Sequence, residues 1–525
     1  MLSKHLGVNT YHNLLFIGYL GLAVGLPLNK VVLSISSMWI ILILLLEGNF
    51  KIYFQNLRQN KTILFLFALL LIQLISFLWS WDIKFALRDL NSKLPLYSIP
   101  LVFIAQPLKN DKHKNWLLVA FVLIMLLTSV YNFGSYQHWW GNHVYDDIRG
   151  MSLLISHIRY SLMITMAASI CVVWVCYSKI SFKWLAALLF FWFGFYTYYA
   201  QILSGVMTFI GVLISLLIIE VFRRKNKVFT AITISFGAIV TVCFCIGLYL
   251  FFQPQKLKIS LDKLPWVTEN GNRYFYQWDN LALENGYPLY YFLCQEEMRE
   301  NWNQRSRLPY DSLDRKGQRL EATIIFYLTS KGVYKDGAAI RKLTSEDISN
   351  IENGIPSVLA TNGGFMDRLS GLKNELLNNN DPNGQSVSQR FIYWKTGLKI
   401  IQKNWLIGVG VGDIHLAFQM QYNRDKSPLT KENRNRTHNQ YLSYFITFGV
   451  FGLFIFIGIL YQFWKFAKSQ KDVLALLFLT IACLSFLVED TLETQMGVTF
   501  FAFFFGLFLS GRNEKTTSFS GREIE

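Results

Sequence analysis

Long apolar runs separated by short polar breaks fill the first half of the chain and return near its end. They frame one long polar stretch. Runs of about 17–25 apolar residues have the length a helix needs to cross a bilayer. The pattern predicts twelve spans, at 12–28, 30–46, 62–80, 94–106, 116–134, 152–177, 184–199, 201–222, 228–252, 439–461, 473–488 and 498–511. The fourth is short, and the run from Trp184 to Phe222 holds two spans only if the chain breaks tightly near Gln201 and Ser204. The polar segment from about Gln253 to Thr437 is too long for a connection and reads as a domain or structured insertion. The expected partition is 1–252 with about nine membrane helices, 253–437 as the large polar segment, 438–511 with about three more helices, and a tail over 512–525.

Inside the polar segment, alternation through Pro288–Leu293 predicts a short strand, and Leu320–Thr329 predicts a strand or the start of a helix. Ser345–Asn353 predicts a helix with Ser345 as N-cap and Glu346 and Asp347 in the first turn. Asn378–Gly384 is a turn cluster. Ser388–Asn404 predicts an amphipathic helix, with Phe391, Trp394, Leu398 and Ile401 at helical spacing beside Arg390, Lys395, Lys399 and Lys403. Such a helix suits a membrane surface. The expected fold class is an all-α polytopic membrane protein of about twelve transmembrane helices with a large outer α+β insertion.

Composition agrees: 52% of residues are apolar, 16% are charged, and the mean hydropathy is +0.29. The net charge of +16 would point to nucleic acid in a soluble protein. Here topology accounts for it. With the N-terminus inside, Lys51, Arg58, Lys112, Lys114, Lys183, Arg223, Arg224, Lys465, Lys468 and Lys471 share the cytoplasmic side. The short outer loops carry only Lys30, Lys84, Arg88, Lys93 and Arg149, which is the positive-inside pattern. Both termini are then expected in the cytoplasm and 253–437 outside, with no nucleic-acid partner. The first run, near Leu14–Leu28, has no cleavage site after it and reads as a retained span. Cys171, Cys176, Cys243, Cys245 and Cys483 lie in apolar runs, leaving Cys294 alone in the polar segment, so these thiols read as small hydrophobes.

No ATP is available outside a cell membrane, so an enzyme there needs a substrate that arrives activated, such as a lipid-linked diphospho-sugar. That chemistry asks for cations beside the leaving diphosphate and a base beside the acceptor hydroxyl. Glu489, Asp490 and Glu493 come closest to an acidic cluster but lack good metal spacing and read as a solvated loop, so neither metal nor cofactor is expected. Arginines are left for the diphosphate. Arg390 shares a helix face with Trp394, Arg436 stands two residues from His438, and Arg159 sits at the outer end of an apolar span, where a charge is costly unless it faces a cavity or partner. His438, at the boundary between polar stretch and span, carries an imidazole, a side chain suited to taking up and giving back a proton. It is a candidate general base, with interfacial hydrogen bonding as the plainer role. The run Gly408-Val409-Gly410-Val411-Gly412-Asp413 reads as a tight turn rather than a nucleotide loop.

Taken together, Arg390-x-x-x-Trp394, the stretch Asn404-Trp405-Leu406-Ile407-Gly408-Val409-Gly410, and His438-Asn439-Gln440-Tyr441-Leu442 leading into Gly449-x-x-Gly452 resemble the O-antigen ligase/polymerase superfamily of bacterial envelope glycosyltransferases. The resemblance implies a metal-independent transferase of GT-C-like architecture in the inner membrane, with its site facing the periplasm. It implies an undecaprenyl-diphosphate-linked glycan donor and lipid A-core or another glycan as acceptor. It casts His438 as the activator of the acceptor hydroxyl and Arg390 with a second arginine, Arg159, as the diphosphate holders; Arg436, Asn439, Trp394, Gly408 and Gly410 would contact substrate. Many members carry Ser-Arg-Gly on the span after the tight break, whereas this chain reads Leu203-Ser204-Gly205-Val206-Met207, without an arginine. The outer segment is also longer than usual.

Three rivals remain at this level, one of them a catalytically inactive scaffold of this fold, which the missing Ser-Arg-Gly would fit. A polymerase differs from a ligase only in its acceptor. A transporter would need broken helices and ionisable groups at mid-membrane, whereas Glu220 stands near the cytoplasmic end of its span.

Overall fold

The computed structural model describes residues 7–510, apart from 109–110, 142, 144, 146–147, 179–180, several positions between 225 and 256, 261–263, 280, 316, 359–381 and 384–385. The predicted span 228–252, most of the turn cluster Asn378–Gly384, the tail 512–525, Cys243 and Cys245 lie wholly or largely outside the described residues. The chain forms two compact units, residues 1–233 with 381–525 and residues 234–380.

The first unit opens with α1 (Val8–Gly25), α2 (Lys30–Glu47), α3 (Phe50–Gln59), α4 (Lys61–Ile75), α5 (Ile83–Ala105), α6 (Asp111–Tyr136), α7 (His157–Tyr177), α8 (Lys183–Tyr199) and α9 (Leu203–Arg224). α2 shows the logic of the set. Leu33, Ile40, Ile43 and Leu44 are buried, while Val31, Ile35, Met38, Leu42 and Leu45 on its other side are exposed and equally apolar. A helix apolar all round has no polar face for water and needs lipid or protein on both sides. Gln201, at φ 54°, makes the tight break between α8 and α9. α3 was not expected from the apolar pattern, and α5 begins at Ile83, well before the predicted start of that span. Lys93, assigned by the loop count to an outer loop, therefore lies inside a helix and is 3% exposed.

The second unit contains a two-residue hairpin, β1 (Leu283–Glu284) with β2 (Tyr287–Pro288), followed by α10 (Gln295–Arg305), α11 (Leu320–Lys331), α12 (Gly337–Lys342) and α13 (Ser345–Glu352). The strand expected over Pro288–Leu293 is reduced to the end of this hairpin and isolated bridges at Leu293, with turns and bends over residues 289–292. α13 is capped one residue earlier than predicted: Thr344 and Asp347 form a reciprocal capping box. Trp302, Ile324, Leu328, Ile340 and Ile351 build this unit's core.

The chain then rejoins the first unit through α14 (Ser386–Asn404), α15 (Ile414–Arg424), α16 (Gln440–Gln470), α17 (Val473–Val488) and α18 (Gln495–Leu509). Each predicted span other than 228–252 falls on a helix. By length and hydropathy, six among the described residues are able to cross a membrane: Lys30–Glu47, Lys61–Trp79, Lys112–Tyr136, His157–Tyr177, Leu203–Arg224 and Gln440–Gln470; α17 and α18 are apolar but shorter. The first unit has two chemically distinct ends. Tyr177, Glu220 and Arg224 meet at one end, where Lys114 also pairs with Asp472 at 3.1 Å. His438 stands at the opposite end of α16, and Arg159 at the opposite end of α7.

Candidate active site

The site is built on an elbow in α16. Gly449 has φ 65° and ψ −162°, which interrupts the helix. In an unbroken helix the Val450 N–H would bond the Ile446 carbonyl. Here Val450 N–H donates to Trp405 O (2.9 Å), and Ile446 O accepts from Val409 N–H (2.9 Å), with Gly410 N–H to Thr447 O (3.0 Å) alongside. The broken pair is thus satisfied by the glycine turn after α14. Both chains need glycine for this approach. A Cβ on Gly449 would stand 2.1 Å from Leu406 O, and one on Gly408 2.4 Å from the Thr447 backbone.

Above the elbow, Asn439 caps α16 by accepting from Leu442 N–H (3.0 Å), and its amide donates to Leu487 O (2.9 Å). His438 precedes the cap with φ 46°, a left-handed conformation that costs a residue bearing a Cβ about 1 kcal/mol. α14 lies beside it. Trp394 Nε1 donates to Thr437 O (2.9 Å), and the Tyr393 ring stands 5.7 Å from the imidazole. Phe391 and Leu398, half of the predicted apolar stripe, face outward, while Tyr393, Ile400 and Ile401 turn inward. With exposed Trp405, Leu406 and Ile407 they give this region an apolar surface suited to a lipid interface.

The loop between α17 and α18 supplies what the sequence reading missed. Glu489, Asp490 and Glu493 are not a solvated loop: their partners are cationic, hydroxyl and amide side chains, and the side chains of Glu489 and Glu493 are 5% and 6% exposed. Glu489 accepts from Arg390 Nη2 at 2.8 Å through Oε1, and its Oε2 lies 3.3 Å from His438 Nδ1. Burial works to raise its carboxyl, but His438, Arg390 and Arg159 outweigh this and hold it below the ordinary value. Asp490 accepts from Ser443 (3.0 Å) and Thr437 (3.3 Å); burial wins there and pushes its carboxyl up. Glu493 takes Lys93 (3.0 Å) and Gln440 (3.1 Å) on one oxygen and Arg436 (3.1 Å) on the other. Burial again opposes ionisation, and Lys93 with Arg436 reverses it, so Glu493 is held low.

The expected catalytic residues therefore converge. Arg390 and His438 share Glu489, and the Arg159 charge is felt at the same carboxylate. Arg159 itself donates to Ser156 (3.1 Å), and its Nε, like that of Arg390, is buried without a hydrogen-bond partner. The start of α9, which lacks the family's arginine, lies against α7: a Cβ on Gly205 would meet Ser161 at 2.7 Å. The residues expected to contact substrate have other work in the structure. Arg436 is paired to Glu493, Asn439 and Trp394 are spent on backbone carbonyls, and Gly408 and Gly410 serve the elbow. His415, after the glycine run, stacks on Phe85 at 4.5 Å. With a solvated loop assumed for 489–493 and Lys93 counted in a loop, nothing in the linear pattern pointed to the buried ion pairs.

Geometry and apolarity define a helical membrane protein with a histidine and arginines gathered over a buried carboxylate. The family model described as O-Antigen ligase matches residues 354–457, which spans α14, the glycine turn, His438 and the elbow. The resemblance drawn from the motifs holds over this stretch. No curated protein matches the chain.

Proposed function

We propose that this protein is an O-antigen-ligase-like glycosyltransferase, transferring a glycan from an undecaprenyl-diphosphate carrier to lipid A-core or a similar acceptor at the outer face of the bacterial inner membrane. The observation that carries the reading is the sharing of Glu489 by Arg390 and His438, both of which lie in the matched stretch. Because Nδ1 of His438 faces Glu489, that nitrogen carries the proton and Nε2 is left with a free lone pair. Nε2 takes the proton of the acceptor hydroxyl as its oxygen attacks the anomeric carbon. The bond from that carbon to the diphosphate oxygen breaks, and the lipid diphosphate leaves with the electron pair. Arg390 and Arg159, each with an unpartnered Nε, receive the growing negative charge. Arg159, on the helix beside Gly205, takes the place of the arginine missing from α9. The reaction needs no metal.

In this reading the chain spans the membrane twelve times in a GT-C-like arrangement, with both termini in the cytoplasm. The basic end of the bundle (Lys114, Arg223, Arg224) then faces the cytoplasm, and the end bearing His438 faces the periplasm with residues 253–437.

Deletion of the gene followed by analysis of surface glycans tests this. The expected result is uncapped acceptor with polymer accumulating on the lipid carrier, restored by the wild-type protein but not by His438→Ala inserted at equal level. Single repeats on the acceptor would instead mark a polymerase. Full restoration by His438→Ala would remove the histidine from the chemistry.

A further inference from the structure

Position 438 is gripped from both sides by one loop. Glu493 binds the side chains two residues before and two residues after it, Arg436 at 3.1 Å and Gln440 at 3.1 Å. Leu492 N–H donates back to Gln440 Oε1 at 2.8 Å, and Asp490 holds Thr437 and Ser443. Between these grips His438 keeps a positive φ, a conformation that persists only where the surroundings over-determine it. The grip depends on a carboxylate that stays ionised while its side chain is 6% exposed, and a buried charge is tolerated only when it is paired. Its innermost partner is Lys93 of α5, itself 3% exposed, 3.0 Å from Glu493 and 2.9 Å from Asp89. Asp89 is in turn held by Gln73 (3.1 Å), whose carbonyl oxygen accepts from Tyr97 (2.6 Å).

We infer that Lys93 is a positioning residue for His438: it neutralises Glu493 from below, and Glu493 in turn holds the 436–440 segment at the angle that points the imidazole at Glu489. The inference rests on the proposed role of His438 for its catalytic consequence, but not for its structural one. Lys93 touches neither the imidazole nor, by its place under Glu493, the substrate. Its effect passes through two ion pairs, Lys93–Glu493 and Glu493–Arg436, the Glu493–Gln440 hydrogen bond and one backbone segment.

The test uses the full-length protein in detergent or nanodiscs, as wild type, Lys93→Met and Lys93→Arg. Two quantities are read: steady-state transfer from a lipid-diphosphate-linked glycan, and the rate at which diethyl pyrocarbonate modifies His438, followed by mass spectrometry of its peptide. In Lys93→Met, turnover should fall at least tenfold with the KM for the donor within about twofold, and His438 modification should speed up several-fold. Lys93→Arg, which keeps the cation, should restore most of both. A general folding defect would lower the yield of folded protein without separating turnover from KM in the fraction that folds. Unchanged turnover and unchanged modification in folded Lys93→Met would overturn the inference, as would failure of Lys93→Arg to differ from Lys93→Met. If the wild type transfers no glycan but His438 modification still follows the charge at 93, the positioning stands and the enzymatic reading falls.

Discussion

Replacing Glu489 by glutamine removes one charge and keeps the shape. The amide oxygen can still accept from Arg390, now 2.8 Å from Oε1, but the amide NH2 is left facing His438 Nδ1, 3.3 Å from the former Oε2. An N–H facing that nitrogen requires it to be the unprotonated one, so the ring's proton moves to Nε2. The lone pair that the proposed reaction needs for the acceptor hydroxyl is then gone. Hydrogen bonds to charged groups contribute about 1.5–3 kcal/mol each, but Arg390 and His438 are 26% and 36% exposed, and water screens what is lost. The stability cost is therefore expected at about 1–2 kcal/mol, set against the roughly 5–15 kcal/mol typical of a folded domain. That leaves the protein folded. The loss of general-base catalysis is worth about 10²–10⁴ in rate, so turnover and not yield should carry the effect. Because the folded carboxyl of Glu489 is held low, its stabilisation is complete above the unfolded value of about 4.3 and disappears as pH falls through the lower folded one. Wild type and variant should thus differ in thermal stability at neutral pH and converge in acid. Transfer measured with purified protein and lipid-linked donor decides the matter. A Glu489→Gln protein within about threefold of wild-type turnover would refute the assignment of the ring nitrogens and the role built on it.

Gly449→Ala places a methyl group 2.1 Å from Leu406 O at a φ of 65°, and the conformation alone costs about 1–2 kcal/mol before the overlap; folded yield in detergent should fall sharply, whereas a position such as Ile457, exposed on the same helix, should accept alanine. In the second unit, Lys335 is 1% exposed and donates to the Pro288 and Tyr291 carbonyls, and burial pushes its ammonium down to about 7. The unfolded chain holds that proton up to about 10.4, so this unit should become more stable as pH rises from about 7 toward 10. Hydrogen exchange of residues 320–331 in the intact protein reads this, and Lys335→Met should flatten the pH dependence.

Apolar periodicity carried most of the helical architecture, because a span must be apolar along its whole length whatever it packs against. It misplaced α5, whose first part holds Asp89 and Lys93 in a helix that pairs them with a distant loop. A charge that is neutralised by a partner 400 residues away looks, in the linear chain, like a charge in water. The same blindness turned Glu489, Asp490 and Glu493 into a solvent loop. Arg390, Arg159 and His438 were legible because each stood where a polar group beside an apolar run needed a reason. Glu489, the carboxylate that Arg390 and His438 share, was not, since nothing local distinguishes a buried Glu-Asp-x-x-Glu from a hydrated one. Trp394, Asn439 and the glycines were visible as a motif but not in their role, which became clear only when their hydrogen bonds could be followed to backbone carbonyls.

The elbow at Gly449 has a mechanical meaning. A break in a membrane helix is commonly a hinge, because the freed backbone groups can trade partners as the two halves swing. Here the Val450 N–H and the Ile446 carbonyl already hold fixed partners in the 405–410 turn, and glycine leaves no clearance on either side. Swinging the upper rod of α16 away from the turn would strip the two backbone hydrogen bonds at Ile446 and Thr447, and carrying the turn along with it would strip the one at Val450, away from water that could replace them. The joint is welded rather than articulated. Any opening that admits a bulky lipid-borne substrate must therefore come from helices that are not tied to this turn, with the histidine end of α16 and the arginine face of α14 moving, if they move, as one rigid piece.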